Sequence, residues 1–274
     1  MVLYFTFLII SLIGSLLTYF LSGLYTNIAF LWLPFVLVLA YFVGLFVINL
    51  LIVAIATLFV DLDKDQVKPN KYFAFQIKNF SQFSLKMSLV KVHLIGKEKL
   101  PENRKDNRFV FVSNHMSNYD HLAVMQALHS YPTVSLSKPE LEQLPVLGKS
   151  QHKAGFIVID RNDQVKAMQA IKKCISYLKN QYANILICPE GTRSKTGVLT
   201  EFHPMTFIIP SRAKCPLVVA SIKNTNNVKK NFPKRITHVY VEIIKVFDKE
   251  DYERISASEL SKISHDLIKE NLGQ

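Results

Sequence analysis

The chain has 274 residues, three cysteines and a formal net charge of +12. Residues 1–60 contain no Lys, Arg, Asp or Glu, so the whole of that charge lies in residues 61–274. This division predicts an apolar N-terminal part joined to a basic domain. Three cysteines without metal-binding spacing predict neither a disulfide framework nor a metal site. The positive charge is not accompanied by a nucleic-acid-binding motif, so we expect no nucleic-acid partner.

Two apolar segments make up the N-terminal part, at about Val2–Leu21 and Leu33–Phe59. Each is long enough to cross a bilayer, which takes roughly 20 apolar residues. The first has no positive leader and no clear cleavage site, which argues against a secretory signal. We expect residues 1–60 to form a hydrophobic helical hairpin in the inner or cell membrane; whether it spans the bilayer or inserts shallowly stays open. The lysines that follow predict that the domain after residue 60 lies in the cytoplasm.

Residues 61–92 form a third distinct segment. Aromatic residues and lysines alternate from Lys71 onward, which is typical of an amphipathic helix. Such a helix can lie on the membrane surface or pack on the core of the following domain, and the pattern is compatible with both.

Residues 93–274 alternate between apolar strands and amphipathic helices. The first of the strands begins slightly earlier, at Val90. Strands spaced by helices predict an α/β fold with a mixed, mainly parallel sheet flanked by helices. Asn162 or Asp163 is expected to cap the clearest of these helices. The predicted strands are Val90–Ile95, Phe109–Val112, Thr133–Leu136, Phe156–Ile159, Ile185–Cys188, Leu217–Ile222 and Val239–Phe247.

His115 and Asp120 follow the second of these strands. A carboxylate five residues after a histidine can reach back to one ring nitrogen and leave the other to accept a proton. A histidine paired with a nearby aspartate can also be purely structural, and such a pair also arises by chance.

Two later strands end in charged residues as well. Arg161 follows one of them, and Glu190, Thr192 and Arg193 follow the other. Ligands collect beyond the carboxyl ends of strands in open α/β sheets, and arginine pairs suit a phosphate. Cys188, at the end of the same strand, is expected to be a small core residue because no histidine lies near it in the sequence.

The segments Asn114–Asp120, Gly155–Arg161 and Pro189–Ser194 resemble, in order and spacing, the first three motifs of the glycerolipid acyltransferases. The likeness is greatest to the bacterial 1-acyl-sn-glycerol-3-phosphate acyltransferases and covers about Val90–Phe247. Lys138 lies in a segment similar to the one that these enzymes place before their second motif.

The resemblance implies a glycerolipid acyltransferase fold and the transfer of a fatty acyl group from a thioester to the sn-2 hydroxyl of lysophosphatidic acid. His115 is implied as the general base and Asp120 as its orienting partner. The implied donor is acyl carrier protein or coenzyme A carrying the acyl group, without a further cofactor or metal. The implied substrate-binding residues are Lys138, Arg161, Glu190, Gly191, Thr192 and Arg193.

Two segments depart from the family pattern. Phe202-His203-Pro204-Met205 stands where Phe-Lys-x-Gly is usual, and Leu217–Ala220 lacks the usual proline. These departures leave two alternatives open. One is another acceptor, such as a different lysophospholipid or glycerol 3-phosphate. The other is a non-catalytic membrane-surface protein that binds a lipid or a carrier.

Overall fold

The computed structural model describes residues 1–103, 107–160, 162–194 and 197–274. These residues form two compact units, Met1–Asp63 and Lys64–Gln274.

The first unit contains two long apolar helices, α1 (Val2–Leu21) and α2 (Leu33–Leu58). The Thr18 hydroxyl lies 2.8 Å from the Tyr41 hydroxyl, and Tyr4 contacts Phe46 with ring centroids 5.8 Å apart. Large apolar side chains elsewhere on the two helices are exposed. Both helices are long and apolar enough to cross a membrane. The predicted apolar helix pair is therefore present, and its exposed surface is consistent with membrane association.

The second unit is built on a seven-stranded sheet with the order β1-β7-β6-β2-β5-β3-β4. All neighbouring strands are parallel except β6 and β7, which are antiparallel. The predicted mixed, mainly parallel sheet is confirmed. The strands are β1 (Val90–Ile95), β2 (Val110–Ser113), β3 (Thr133–Ser137), β4 (Ile157–Val158), β5 (Asn184–Ile187), β6 (Leu217–Lys223) and β7 (Thr237–Phe247).

Helices cover both faces of this sheet. In β2, Val110 and Val112 pack into one buried cluster with residues of α7 (Gln164–Lys179) and α11 (Ala257–Leu272). Phe111 packs into the other cluster with residues of α4 (Tyr119–Ala127). A strand buried on both faces is apolar throughout, which is why the sequence shows continuous apolar runs here. The remaining helices are α3 (Lys71–Met87), α4 (Tyr119–Ala127), α5 (Pro139–Glu142), α6 (Leu147–Lys153), α7 (Gln164–Lys179), α8 (Ile208–Ala213), α9 (Val228–Asn231), α10 (Lys249–Tyr252) and α11 (Ala257–Leu272).

Helix α3 packs on this second unit. The Asn70 side chain caps its first turn, and Phe73, Ile77 and Leu85 are buried. Phe75 is exposed on its surface, together with Tyr72, Phe80 and Met87. The helix therefore has one face on the domain core and apolar side chains outside it, and its lying on a membrane surface stays a prediction.

The parallel strands determine where the candidate residues lie. Because β2, β3, β4, β5 and β6 run in the same direction, their carboxyl ends meet at one edge of the sheet. The loops after β2 and β5 are adjacent there, since these strands are hydrogen-bonded neighbours. This edge carries the candidate site.

Candidate active site

His115 lies in the loop after β2 and is 13% exposed. Its Nδ1 lies 2.8 Å from Oδ2 of Asp120, which is in the first turn of α4 and fully buried. The carboxylate is well placed at a helix N-terminus, where unpaired backbone N–H groups favour negative charge. The structure thus brings together the two residues that the sequence predicted as a pair.

The Asp120 carboxylate has three donors besides the histidine. The backbone N–H groups of Met116 and Ser117 each donate to Oδ2 over 2.6 Å. The Thr225 hydroxyl, which follows β6 and is buried, donates to Oδ1. A carboxylate held by three other donors fixes the imidazole orientation and assigns the ring proton to Nδ1 of His115. Nε2 is then the nitrogen with a lone pair.

Glu190 holds the backbone of His115. Its Oε1 accepts the His115 N–H over 2.6 Å, while Oε2 accepts the N–H and hydroxyl of Thr200 over 3.0 and 2.8 Å. Ser194 N–H donates to the His115 carbonyl over 2.9 Å. The loop after β5 therefore binds His115 on both sides of its Cα. Glu190 is 4% exposed, with Oε1 accepting from His115 and Oε2 from Thr200.

Asn114 fixes the same loop from the β6 side. Its Oδ1 accepts the Ile222 N–H over 2.7 Å, and its Nδ2 donates to the Ile222 carbonyl over 3.0 Å. A side-chain amide that satisfies both backbone groups of one residue extends the sheet beyond the last residue of β2. The loop that carries His115 is therefore held in place where it leaves β2.

The structure describes all of the remaining predicted substrate-binding residues except Arg161. Gly191 has φ +71°, a conformation that favours glycine, and its N–H donates to the Cys188 carbonyl. The side chains of Thr192 and Arg193 are exposed directly after it. Lys138 is exposed at the carboxyl end of β3, on the same edge of the sheet. Arg161 lies outside the described residues.

His121 and Cys188 adjoin His115. The rings of His115 and His121 meet edge to face with centroids 5.1 Å apart, and His121 Nε2 lies 4.0 Å from Cys188 Sγ. Cys188 is only partly buried and has a histidine beside it in space, unlike the core residue expected from the sequence. Burial, followed by the charge of His115, lowers the pKa of His121 to about 4, against a raising effect of Asp120. His121 is therefore neutral at physiological pH.

Sequence reasoning missed Asn114, Thr200, Thr225 and His121 as parts of this site. Asn114 could have been found from its position directly before His115. Thr225 could have been found as a polar residue at the end of a strand that borders β2. The contact of Thr200 with Glu190 and that of His121 with Cys188 join residues 10 and 67 positions apart, and no local pattern in the sequence marks them.

Known proteins similar to this chain are acyltransferases. Residues 91–223 match the Acyltransferase family. The 1-acyl-sn-glycerol-3-phosphate acyltransferase of Salmonella typhimurium is 28% identical over 167 residues, which are 60% of this chain and 67% of that protein. The Escherichia coli K12 enzyme of the same name is 26% identical over 166 residues, with the same coverage.

A solved structure supports the fold. The crystal structure of the 1-acyl-sn-glycerophosphate (LPA) acyltransferase PlsC from Thermotoga maritima superposes with a TM-score of 0.59 at 24% identity. It covers 74% of this chain and 79% of that one. The mainly parallel sheet with flanking helices is thus a fold already seen in this class of protein.

The fold, the matched domain and the relatives define an O-acyltransferase. More particularly, the chain is similar to the 1-acyl-sn-glycerol-3-phosphate acyltransferases and is PlsC-like.

We predict that Thr225→Val lowers kcat roughly tenfold. The substitution keeps the side-chain volume but removes the hydroxyl that holds Asp120 Oδ1, and hydrogen bonds to charged groups contribute about 1.5–3 kcal/mol. Steady-state kinetics on purified enzyme measure the effect, with Thr225→Ser as the matched control that restores the donor. A Thr225→Val enzyme with wild-type kcat and an unchanged melting temperature would contradict the role of this contact.

We also predict that acid destabilises the protein through His121. Its pKa of about 4 in the folded state lies below the unfolded value of about 6.5. The unfolded state therefore binds more protons between these values, and stability is lost as pH falls from about 6.5 toward 4. At pH 5 the loss should be about 1–2 kcal/mol for this partly buried group.

Thermal melting at pH 7.5 and 5 in chelator-containing buffer tests this expectation. His121→Gln should flatten the pH dependence, whereas His129→Gln, at an exposed site two residues beyond the end of α4, should not. Equal pH dependence in His121→Gln and wild type would contradict the assignment.

Proposed function

We propose that the chain transfers a fatty acyl group from a thioester to the sn-2 hydroxyl of lysophosphatidic acid, giving phosphatidic acid. The observation that carries the proposal is the 2.8 Å contact between His115 Nδ1 and Asp120 Oδ2 at the carboxyl edge of the sheet. The names of the relatives from Salmonella typhimurium and Escherichia coli support this acceptor.

His115 acts as the general base in this proposal. Its Nε2 takes the proton of the acceptor hydroxyl while the hydroxyl oxygen attacks the thioester carbonyl carbon. The tetrahedral intermediate then collapses, the carbon–sulfur bond breaks, and the leaving thiolate takes the proton from the imidazolium. Asp120 stabilises the imidazolium and keeps the ring in place. A positioned base of this kind contributes about 10²–10⁴-fold in rate.

The acceptor phosphate is assigned to the loop after β5. Arg193 and Thr192 present exposed polar groups there, and the guanidinium can bind two phosphate oxygens at once. Gly191 allows close approach because it has no Cβ. Lys138 follows β3 at the same edge and is assigned to the same anion. Arg161, outside the described residues, is assigned to it from its place in the sequence after the predicted strand Phe156–Ile159. Glu190 contributes indirectly, since its carboxylate positions His115 and would repel a phosphate.

The donor is assigned to the acyl thioester of acyl carrier protein or coenzyme A, without a further cofactor. Both carriers are anionic, and a domain that carries a net charge of +12 attracts them over a Debye length of roughly 8–10 Å. The lysines after residue 60 support a cytoplasmic catalytic domain. An enzyme held at the bilayer shares one layer with its lipid acceptor.

A second acceptor class is favoured by one contact. The His203 N–H donates to the Pro189 carbonyl over 3.0 Å, so the segment that departs from the family pattern touches the loop assigned to the phosphate. This contact supports the proposal that the departure alters the headgroup preference. A different lysophospholipid, or glycerol 3-phosphate, is the alternative acceptor.

We predict that His115→Ala lowers acyl transfer by at least about 10²-fold, because the hydroxyl then lacks its base. The assay measures product from lysophosphatidic acid, from other lysophospholipids and from glycerol 3-phosphate, with each thioester donor in turn. The matched control is His129→Ala, which changes an exposed histidine and should keep wild-type activity. Appreciable turnover by a folded His115→Ala enzyme would reject the base assignment, and a wild type that prefers another acceptor would replace lysophosphatidic acid.

We further predict that Arg193→Ala raises the KM for the acceptor at least roughly tenfold and changes kcat less, because it removes a charge-assisted contact to the phosphate. Arg212→Ala is the matched control. Arg212 is also exposed, but it lies on α8, which leads into the start of β6 at the opposite edge of the sheet. A loss confined to the donor KM would contradict the phosphate assignment.

A further inference from the structure

We propose that His115, His121 and Cys188 form a three-ligand site for Zn²⁺ whose occupation switches the enzyme off reversibly. The inference rests on the proposed function, because it takes His115 to be the base. Binding of the metal ion can be measured independently of turnover.

The three side chains already converge. One ligand atom from each lies within 4.8 Å of the others, and the distance from His121 Nε2 to Cys188 Sγ is 4.0 Å. Tetrahedral zinc, with Zn–S of about 2.3 Å and Zn–N of about 2.0–2.1 Å, requires ligand atoms about 3.3–3.6 Å apart. Side-chain rotations that shorten these separations by about 0.5–1.5 Å therefore complete the site.

Asp120 prepares His115 for this role. Metal-binding histidines generally donate their second ring N–H to a carboxylate or carbonyl, which fixes the ring and raises the basicity of the ligating nitrogen. Asp120 Oδ2 at 2.8 Å from Nδ1 is such a partner. The hydrogen bond that occupies Nδ1 therefore leaves Nε2 as the nitrogen of His115 that can bind a metal.

The ligand set determines which ion binds. One thiolate and two imidazoles suit Zn²⁺, whereas Mg²⁺ prefers oxygen ligands. When the Zn–S bond forms, the Cys188 thiol releases its proton to solvent. The bound Nε2 lone pair of His115 can no longer accept a proton from the acceptor hydroxyl. Water takes the fourth position, and a chelator restores activity by removing the ion.

The other two cysteines provide internal controls. Cys174 and Cys215 are buried, and burial raises the pKa of the Cys215 thiol to about 12 and also raises that of Cys174. Neither belongs to a group of three potential metal ligands among the residues that the structure describes. A Cys174→Ala/Cys215→Ala double variant therefore leaves Cys188 as the sole thiol.

The test titrates the purified full-length enzyme with Co²⁺, whose absorption reports thiolate ligation and four-coordination. Wild type and the double variant should both show a thiolate-to-cobalt charge-transfer band. Cys188→Ser and Cys188→Ala should lose this band. His121→Asn should weaken cobalt binding at least roughly tenfold, as expected when a direct ligand is removed.

Inhibition by Zn²⁺ supplies the second readout. Wild type should be inhibited and should recover with chelator, while the same concentration of Mg²⁺ should have no effect. Cys188→Ser should keep its basal activity and need at least roughly tenfold more Zn²⁺ for half inhibition.

A wild type without the charge-transfer band, or equal Zn²⁺ sensitivity of wild type and Cys188→Ser, would overturn the site. Failure of the proposed function looks different. In that case His115→Ala keeps its acyl transfer, whatever the cobalt spectrum of the wild type shows.

Discussion

The buried carboxylate of Asp120 is the interaction on which the site depends. It receives hydrogen bonds from His115, from two backbone N–H groups of its own loop and from Thr225 beyond β6. A buried charge is tolerated only when such donors satisfy it. Three donors from the loop after β2 and one from the segment after β6 therefore stabilise the buried carboxylate and fix the imidazole at the same time. The same contacts supply the donors that a buried carboxylate needs and fix the orientation of the His115 ring.

The parallel sheet brings those segments together. Strand β2 lies between β5 and β6, so the loop that carries His115 is flanked by the loops that follow both neighbours. Glu190 and Ser194 hold His115 from the β5 side, and Asn114 bonds Ile222 on the β6 side. A histidine whose backbone is bound on both sides needs little reorganisation to serve as the proposed base, and preorganised sites gain their rate in this way.

Local patterns predicted much of this architecture. Continuous apolar runs gave β2 and β5, the polar cap at Asp163 gave the start of α7, and the motif residues led to His115 and Asp120. What the sequence could not show depends on tertiary contact. The short helices α5 and α6 carry too few residues for a periodic signal. Thr225 reaches Asp120 across 105 residues, and Cys188 meets His121 across 67. Such pairs follow from strand order, which no single stretch of sequence specifies.

The apolar helices α1 and α2 are suited to association with the membrane. The basic domain carries the proposed chemistry, in which His115 is the base. A crystal structure of the enzyme with lysophosphatidic acid bound tests it most directly. The account predicts the acceptor hydroxyl oxygen at about 2.6–3.2 Å from Nε2 of His115, with Nδ1 still bonded to Asp120 and the phosphate against Arg193. A hydroxyl directed to another group, or an imidazole turned away from Asp120 in the complex, would contradict it.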